Sequence, residues 1–163
     1  EMADKMGADA CLMSDDPEIH SKIDEFTSGN GIDLVILTAN PWPAYRTAVD
    51  IVRENGRVAI VALPGRGEAP LDFNPLAMQW FYMKGISLIA VNGPQGYLYP
   101  GDGGHRFNWN AACTHTLSLM KTGRLEPKRL ITHRMHYTEM HKAYEMIFER
   151  DKNMMGVLFN WKD

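Results

Sequence analysis

Two compact apolar runs, Ile32-Asp33-Leu34-Val35-Ile36-Leu37 and Arg57-Val58-Ala59-Ile60-Val61-Ala62-Leu63, flank a stretch whose apolar residues recur at helical spacing. That alternation constrains the fold more than any other feature. Short continuous apolar runs are the pattern of strands buried on both faces of a parallel sheet. Between them, Tyr45, Ala48, Val49 and Val52 form one helical stripe, closed by Asn55-Gly56. The rhythm extends both ways. Upstream, Met2 to Met6 reads as the end of a helix stopped by Gly7, and Ala10 to Met13 as a short strand. Asp16-Pro17 then offers an N-cap with proline at the first helical position, followed by Ile19, Ile23 and Phe26. Gly29-Asn30-Gly31 stops that helix. Downstream, Leu76, Trp80, Phe81 and Met83 predict a helix ending at Gly85, and Ile86 to Val91 a further strand. Strands alternating with helices of this length are joined by right-handed crossovers into a parallel α/β sheet.

The stretch Asn92 to Phe107 breaks the rhythm with five glycines and two prolines, and predicts a long surface loop. A helix from about Trp109 to Thr122 ends at Gly123, the usual place for a helix-stopping glycine. A strand near Leu130 to His136, a helix through Met140, Ala143, Tyr144, Ile147 and Phe148, and a strand from Gly156 to Trp161 close the chain. This last section reads as a different layer, which places a boundary near residue 122.

The 163 residues suit one ordinary domain or a piece of a larger protein. Apolar residues make up 45% and charged residues 23%, close to the globular average. A net charge of -3 gives no electrostatic case for nucleic acid or anionic lipid. No apolar run approaches the roughly 20 residues that a membrane span needs. Cys11 and Cys113 form no CxxC, and the pattern predicts buried free thiols in a reducing cytoplasm. His133 and His136 are three apart on a strand, which points them to opposite faces. His115 and His141 fall at polar helical positions, and His20 and His105 have no acidic or thiol neighbours suited to a metal. No metal ligand and no catalytic residue is assigned. The loop Pro64-Gly65-Arg66-Gly67-Glu68 follows a strand but leads to Pro70 rather than a helix, so it is not a phosphate cradle. Arg66, Arg106, Lys128 and Arg129 read as solvated surface cations.

In an open parallel sheet, ligands bind outside the carboxyl ends of the strands. Here those ends are Thr38-Ala39-Asn40, Ala62-Leu63-Pro64 and Val91-Asn92-Gly93. The first and third bring side-chain hydrogen-bonding groups, and the second offers mainly backbone beside apolar side chains, which suits a flat, partly apolar ring. Asn40 and Asn92 read equally well as ordinary strand terminators.

The order of these pieces resembles one family. Met2-Ala3-Asp4-Lys5-Met6-Gly7-Ala8-Asp9, Gly31-Ile32-Asp33-Leu34-Val35-Ile36, Asn55-Gly56-Arg57-Val58-Ala59-Ile60-Val61 and Met83-Lys84-Gly85-Ile86 are similar to successive motifs of the medium-chain, zinc-type alcohol and polyol dehydrogenases. So are Thr122-Gly123-Arg124-Leu125, Leu130-Ile131-Thr132-His133-Arg134, Glu139 to Phe148 and Gly156-Val157-Leu158. The resemblance implies a partial Rossmann-like, doubly wound parallel sheet over residues 1–122, an incomplete nucleotide-binding domain. Residues 123–163 would be a strand-helix-strand segment returning to the catalytic domain. It implies hydride transfer between an alcohol or polyol and NAD or NADP, with zinc held in an N-terminal half that precedes this stretch in the family. The chain alone is then expected to be inactive. Thr38, Ala39, Val61, Ala62, Leu63, Ile89, Ala90 and Val91 would line the nicotinamide end of the cofactor cleft. Asn40, Ala62 and Ala90 stand where the family pattern usually has glycine, and the alanine β-carbons would press on a closely approaching cofactor. The strand Ile86–Val91 would be the far edge of the sheet and pair across a homodimer axis.

The family's strand order separates the Ala10 strand from Ile32–Leu37 by two neighbours not represented here. Unpaired backbone groups cost about 1–3 kcal/mol each when buried. The first strand is therefore expected to move beside Ile32–Leu37, or another copy to fill the gap. Two rival readings share the pattern. An S-adenosylmethionine-dependent methyltransferase would end in an antiparallel hairpin against the same sheet. A non-catalytic Rossmann-like module would serve subunit association.

Overall fold

The computed structural model describes residues 2–65, 67, 69–93 and 108–162. The chain divides into two compact units, Glu1–Gly93 and Pro94–Asp163. In the first, α1 (Met2–Lys5) precedes α2 (Ile19–Thr27), β1 (Ile32–Leu37), α3 (Trp42–Ile51), β2 (Val52–Ile60) and β3 (Ser87–Ala90). The three strands form one sheet in the order β1-β2-β3, both pairs parallel. The parallel α/β architecture read from the sequence is therefore present.

The core lies between this sheet and α3. Pro41, extended at φ -58° and ψ 139°, caps α3, and Pro43 sits in its first turn, where a missing N–H costs nothing. The stripe then buries Tyr45, Ala48 and Val49 against Leu37, Val52, Val58 and Ile86. Val49 and Val58 have no exposed surface. At the far end of α3, the Lys84 ammonium donates to the carbonyls of Val49 (3.0 Å) and Asp50 (2.7 Å), satisfying acceptors that a helix end leaves open. Burial pushes the Lys84 pKa down, opposed by the nearby Asp50 and Glu54 carboxylates. His20 on α2 reaches the same corner, its Nε2 lying 2.8 Å from Asp50 Oδ2.

Several elements differ from the sequence expectation. Ala10 to Met13 is not a strand; it runs exposed and pairs neither with β1 nor with any other described strand. A four-residue segment without a ladder partner gains too little to order as a strand. The apolar runs are buried on one face only. Val35 and Leu37 turn toward α3, while Leu34 and Ile36 on β1 and Ile89 on β3 stay 43%, 59% and 41% exposed, because no described element of this unit covers that face. β2 is assigned from Val52, directly after α3, and ends at Ile60 rather than Leu63, with a register shift that accommodates Asn55-Gly56. The helix expected over Leu76–Met83 is a single π turn, Met78–Tyr82. Asp16 does not cap α2, which begins two residues after Pro17 with Glu18 at the cap; its carboxylate accepts from the Glu18 amide and the Lys22 ammonium instead.

The second unit contains α4 (Trp109–Lys121), β4 (Ile131–His136), α5 (Met140–Phe148) and β5 (Gly156–Asn160). Asn108 caps α4 by accepting from the Ala111 amide at 2.7 Å, and Gly123 follows its end at φ +71°. β4 and β5 pair in parallel across α5, the strand-helix-strand unit expected from the sequence. The segment 94–107, most of the expected long loop, lies outside the described residues, as do Arg66, His105 and Arg106. Both cysteines are free and exposed, not buried as expected: Cys11 lies in the unpaired opening segment and Cys113 on the outside of α4. Among the described residues no helix is long and apolar enough to cross a membrane.

The turn into α5 carries a titratable clasp. The Glu139 carboxylate accepts from the Lys142 ammonium at 2.8 Å and from the His136 amide at 3.3 Å. The Lys142 bond, then the His136 bond, hold its pKa below the ordinary value. A depressed acid contributes stability that is present above its unfolded pKa, about 4.3. That contribution is lost as pH falls through the folded value. The His136 amide resonance should therefore titrate with a midpoint below the ordinary glutamate value, and Glu139→Gln should flatten that titration; a midpoint at or above that value counts against the clasp.

Candidate functional site

The parallel register sets Leu37, Ile60 and Ala90 side by side. Chain segments leaving the three strands therefore emerge at one edge. The ladder continues a little past the assigned strands: the amides of Val61 and Ala62 both donate to the Leu37 carbonyl at 3.0 Å, and the Val91 amide to the Ile60 carbonyl at 2.9 Å. Thr38 and Ala39 follow β1, Val61, Ala62 and Leu63 follow β2, Ile89 and Ala90 end β3, and Val91 follows it. All eight sequence-predicted site residues thus stand along one carboxyl edge of one sheet. Ala62 is half-buried and the other seven are exposed, Val61, Leu63, Ile89 and Val91 by 49%, 59%, 41% and 45%.

None of these eight residues is ionisable. The edge is a strip of aliphatic side chains and backbone with one hydroxyl, Thr38. The two asparagines divide from the ligand-facing role considered for them. Asn40 Oδ1 accepts from the Leu63 amide at 3.0 Å, and Asn92 Oδ1 accepts from the Gly93 amide at 2.9 Å. Asn40 thereby ties two segments of the edge together, whereas Asn92 bonds only to its own chain neighbour.

Sequence reasoning missed what fixes the loop after β2. The Asn40 carbonyl accepts from the Gly65 amide at 2.9 Å, and Trp42 Nε1 donates to the Ala69 carbonyl at 2.9 Å. Gly65 sits at φ +75° directly against the indole: a β-carbon there would overlap Trp42 Cζ2 and lie 2.6 Å from Cε2. The signal was present in the Asn40-Pro41-Trp42 tripeptide, but its partners lie more than twenty residues away.

The groups with shifted pKa values stand elsewhere. Tyr45, pushed up by burial, belongs to the core, and Lys84 lies just before the amino end of β3. Among the described residues no three His, Cys, Asp or Glu side chains converge in a way that could hold a metal ion. His133 and His136 engage hydroxyls instead, of Thr132 at 2.9 Å and Thr138 at 2.8 Å. Arg129 pairs with Glu126, and Lys128 is exposed. The parallel pairing of β4 with β5 is not the antiparallel hairpin that a methyltransferase reading required.

Comparison with known proteins gives a consistent picture. A family profile described as zinc-binding dehydrogenase matches residues 1–97. The chain is 27% identical over 145 residues to a sorbitol dehydrogenase of Halalkalibacterium halodurans, an alignment covering 89% of this chain and 37% of that protein. Among solved structures, a zinc dependent alcohol dehydrogenase from Streptococcus pneumonia superposes with a TM-score of 0.71 at 20% identity, over 99% of this chain and 41% of that one. A short chain alcohol dehydrogenase from E. coli CFT073, complexed with cofactor NADH, gives 0.70 at 18% identity over 98% and 41%. At such identities the structural matches speak for the fold. The chain spans about two fifths of the length of the proteins it matches.

Proposed function

This chain belongs to the zinc-binding dehydrogenase family, and from that premise we propose that it supplies the nicotinamide-side wall of an NAD- or NADP-dependent alcohol or polyol dehydrogenase. One observation carries the reading: the shared level of Leu37, Ile60 and Ala90, which lines eight uncharged residues along a single carboxyl edge. Such an edge is where open α/β sheets take ligands. The sorbitol dehydrogenase relative and the NADH-complexed structural neighbour support the choice of substrate and cofactor class.

The bound cofactor would accept or deliver hydride at its nicotinamide ring. The chain's own part is to hold that ring. Val61, Leu63, Ile89 and Val91 offer it an apolar flank that excludes water, and Thr38 a hydroxyl that can hydrogen-bond a polar substituent. Ala62 and Ala90 set how closely the ring approaches, since each adds a β-carbon to the edge. Among the described residues no set of zinc ligands converges. In this reading residues 1–122 belong to the nucleotide-binding domain and 123–163 to the catalytic domain. The outer strand β3 would pair with its counterpart across a homodimer axis.

Titrating the ¹⁵N-labelled chain with NADH tests the assignment. The expected result is a set of saturable amide shifts at Thr38, Ala39, Val61, Ala62, Leu63, Ile89, Ala90 and Val91. Shifts centred on other residues, or none at millimolar NADH, would sink the assignment.

A further inference from the structure

The edge is assembled from three separate segments, and one of them continues, past the Val61 and Ala62 amides bonded to the Leu37 carbonyl, as a loop that the sheet itself does not hold. β2 stops at Ile60, so Leu63 lies beyond the ladder. Two residues of the β1–α3 connection reach across to it. Asn40 grips the loop twice, its side-chain Oδ1 taking the Leu63 amide at 3.0 Å and its own carbonyl the Gly65 amide at 2.9 Å. Trp42 grips it further along, at the Ala69 carbonyl, with its indole filling the space above Gly65. Trp42 is itself braced edge-on by Tyr45, with centroids 6.1 Å apart, and Tyr45 is buried in the core. The chain of contacts runs from the rigid interior through Tyr45 and Trp42 to the loop.

We propose that Asn40 and Trp42 are positioning residues, a clasp that fixes Leu63 and the loop after it, so that Leu63 joins the sheet-held Val61 and Ala62 in walling the nicotinamide ring. The inference rests on the cofactor reading above. With its amide engaged by Asn40, Leu63 keeps its side chain outward at the edge, 59% exposed, although nothing in the sheet holds it there. Releasing the clasp lets the loop sample other positions, and a ligand then has to reorder it on binding, which lowers affinity by the competent fraction. Neither residue needs to touch the cofactor for this.

Asn40→Ala, Asn40→Asp and Trp42→Phe separate the contributions. Asn40→Ala removes the acceptor, Asn40→Asp keeps one, and Trp42→Phe keeps a ring over Gly65 but loses the donor to Ala69. Amide hydrogen exchange of Leu63 and Gly65 and the NADH dissociation constant are measured in each. Asn40→Ala should speed Leu63 exchange about tenfold, the equivalent of one hydrogen bond. It should weaken NADH binding by a similar factor with the unfolding midpoint unchanged. Asn40→Asp should restore Leu63 protection, and Trp42→Phe should weaken NADH binding while Leu63 stays protected. A Leu63 amide that exchanges equally fast in wild type and Asn40→Ala overturns the clasp. Wild type that binds NADH, with both Asn40→Ala and Trp42→Phe binding it equally well, overturns the positioning role alone. Wild type that binds no NADH overturns the cofactor reading and this inference together.

Discussion

Val58→Asp is expected to abolish the cooperative unfolding transition of the first unit, whereas Ile36→Lys, one strand away, leaves it in place. Val58 has no exposed surface and pairs in register with Val35 on one side and Leu88 on the other, at the centre of the packed face. A carboxylate there loses its hydration without gaining a partner, at an effective cost of several kcal/mol. A domain of this size holds only about 5–15 kcal/mol in total. Ile36 lies on the opposite face and is 59% exposed, so a lysine at that position keeps its charge in water and should shift stability by no more than about 0.5 kcal/mol. Thermal melts followed by circular dichroism separate the two. If Ile36→Lys proved as damaging as Val58→Asp, the sheet would be covered on both faces, and the one-sided core described above would be wrong.

Gly65→Ala should cost more than Gly67→Ala, even though both glycines have nearly the same left-handed backbone, φ +75° and +76°. An alanine at such a φ costs about 1–2 kcal/mol by itself. Around Gly67 no atom of the described residues lies within 4 Å of the added carbon, so the backbone cost is the expected effect. At Gly65 the carbon overlaps the Trp42 indole, adding an overpacking cost of about 1–3 kcal/mol or driving the ring off the Ala69 carbonyl. The Trp42 indole N–H resonance reports which occurs: it should move in Gly65→Ala and stay in Gly67→Ala. Equal effects on stability and an unmoved indole resonance would mean that Trp42 does not pack on Gly65.

How far the sequence could be read follows from the range of the forces involved. α3 was legible because everything that makes it is local: prolines where a helix can begin, then Tyr45, Ala48 and Val49 on one stripe. β1 and the β4-α5-β5 unit were legible for the same reason. Ala10–Met13 was not, because a strand exists only if something lies beside it, and no composition of four residues supplies a neighbour. The one-sided burial of β1 was hidden on similar grounds: Leu34 and Ile36 are as apolar as Val35 and Leu37, and what distinguishes them is that no described element of the unit covers their face. At the site, strand ends could be located from the apolar runs, which is why the eight edge residues came together. The clasp could not, since Asn40 reaches 23 residues forward to Leu63 and Trp42 reaches 27 to Ala69. His20 with Asp50 and Lys84 with the end of α3 are likewise pairings that only the folded chain brings about.

The exposure of Cys11 and Cys113 has a practical consequence for anyone handling the protein. Each molecule presents two accessible sulfurs, so air oxidation is not confined to pairs: a chain joined at one sulfur still offers the other, and linkage can propagate into ladders of covalent oligomers. Purification with reductant, or serine at both positions, removes a source of heterogeneity that would otherwise be mistaken for native assembly.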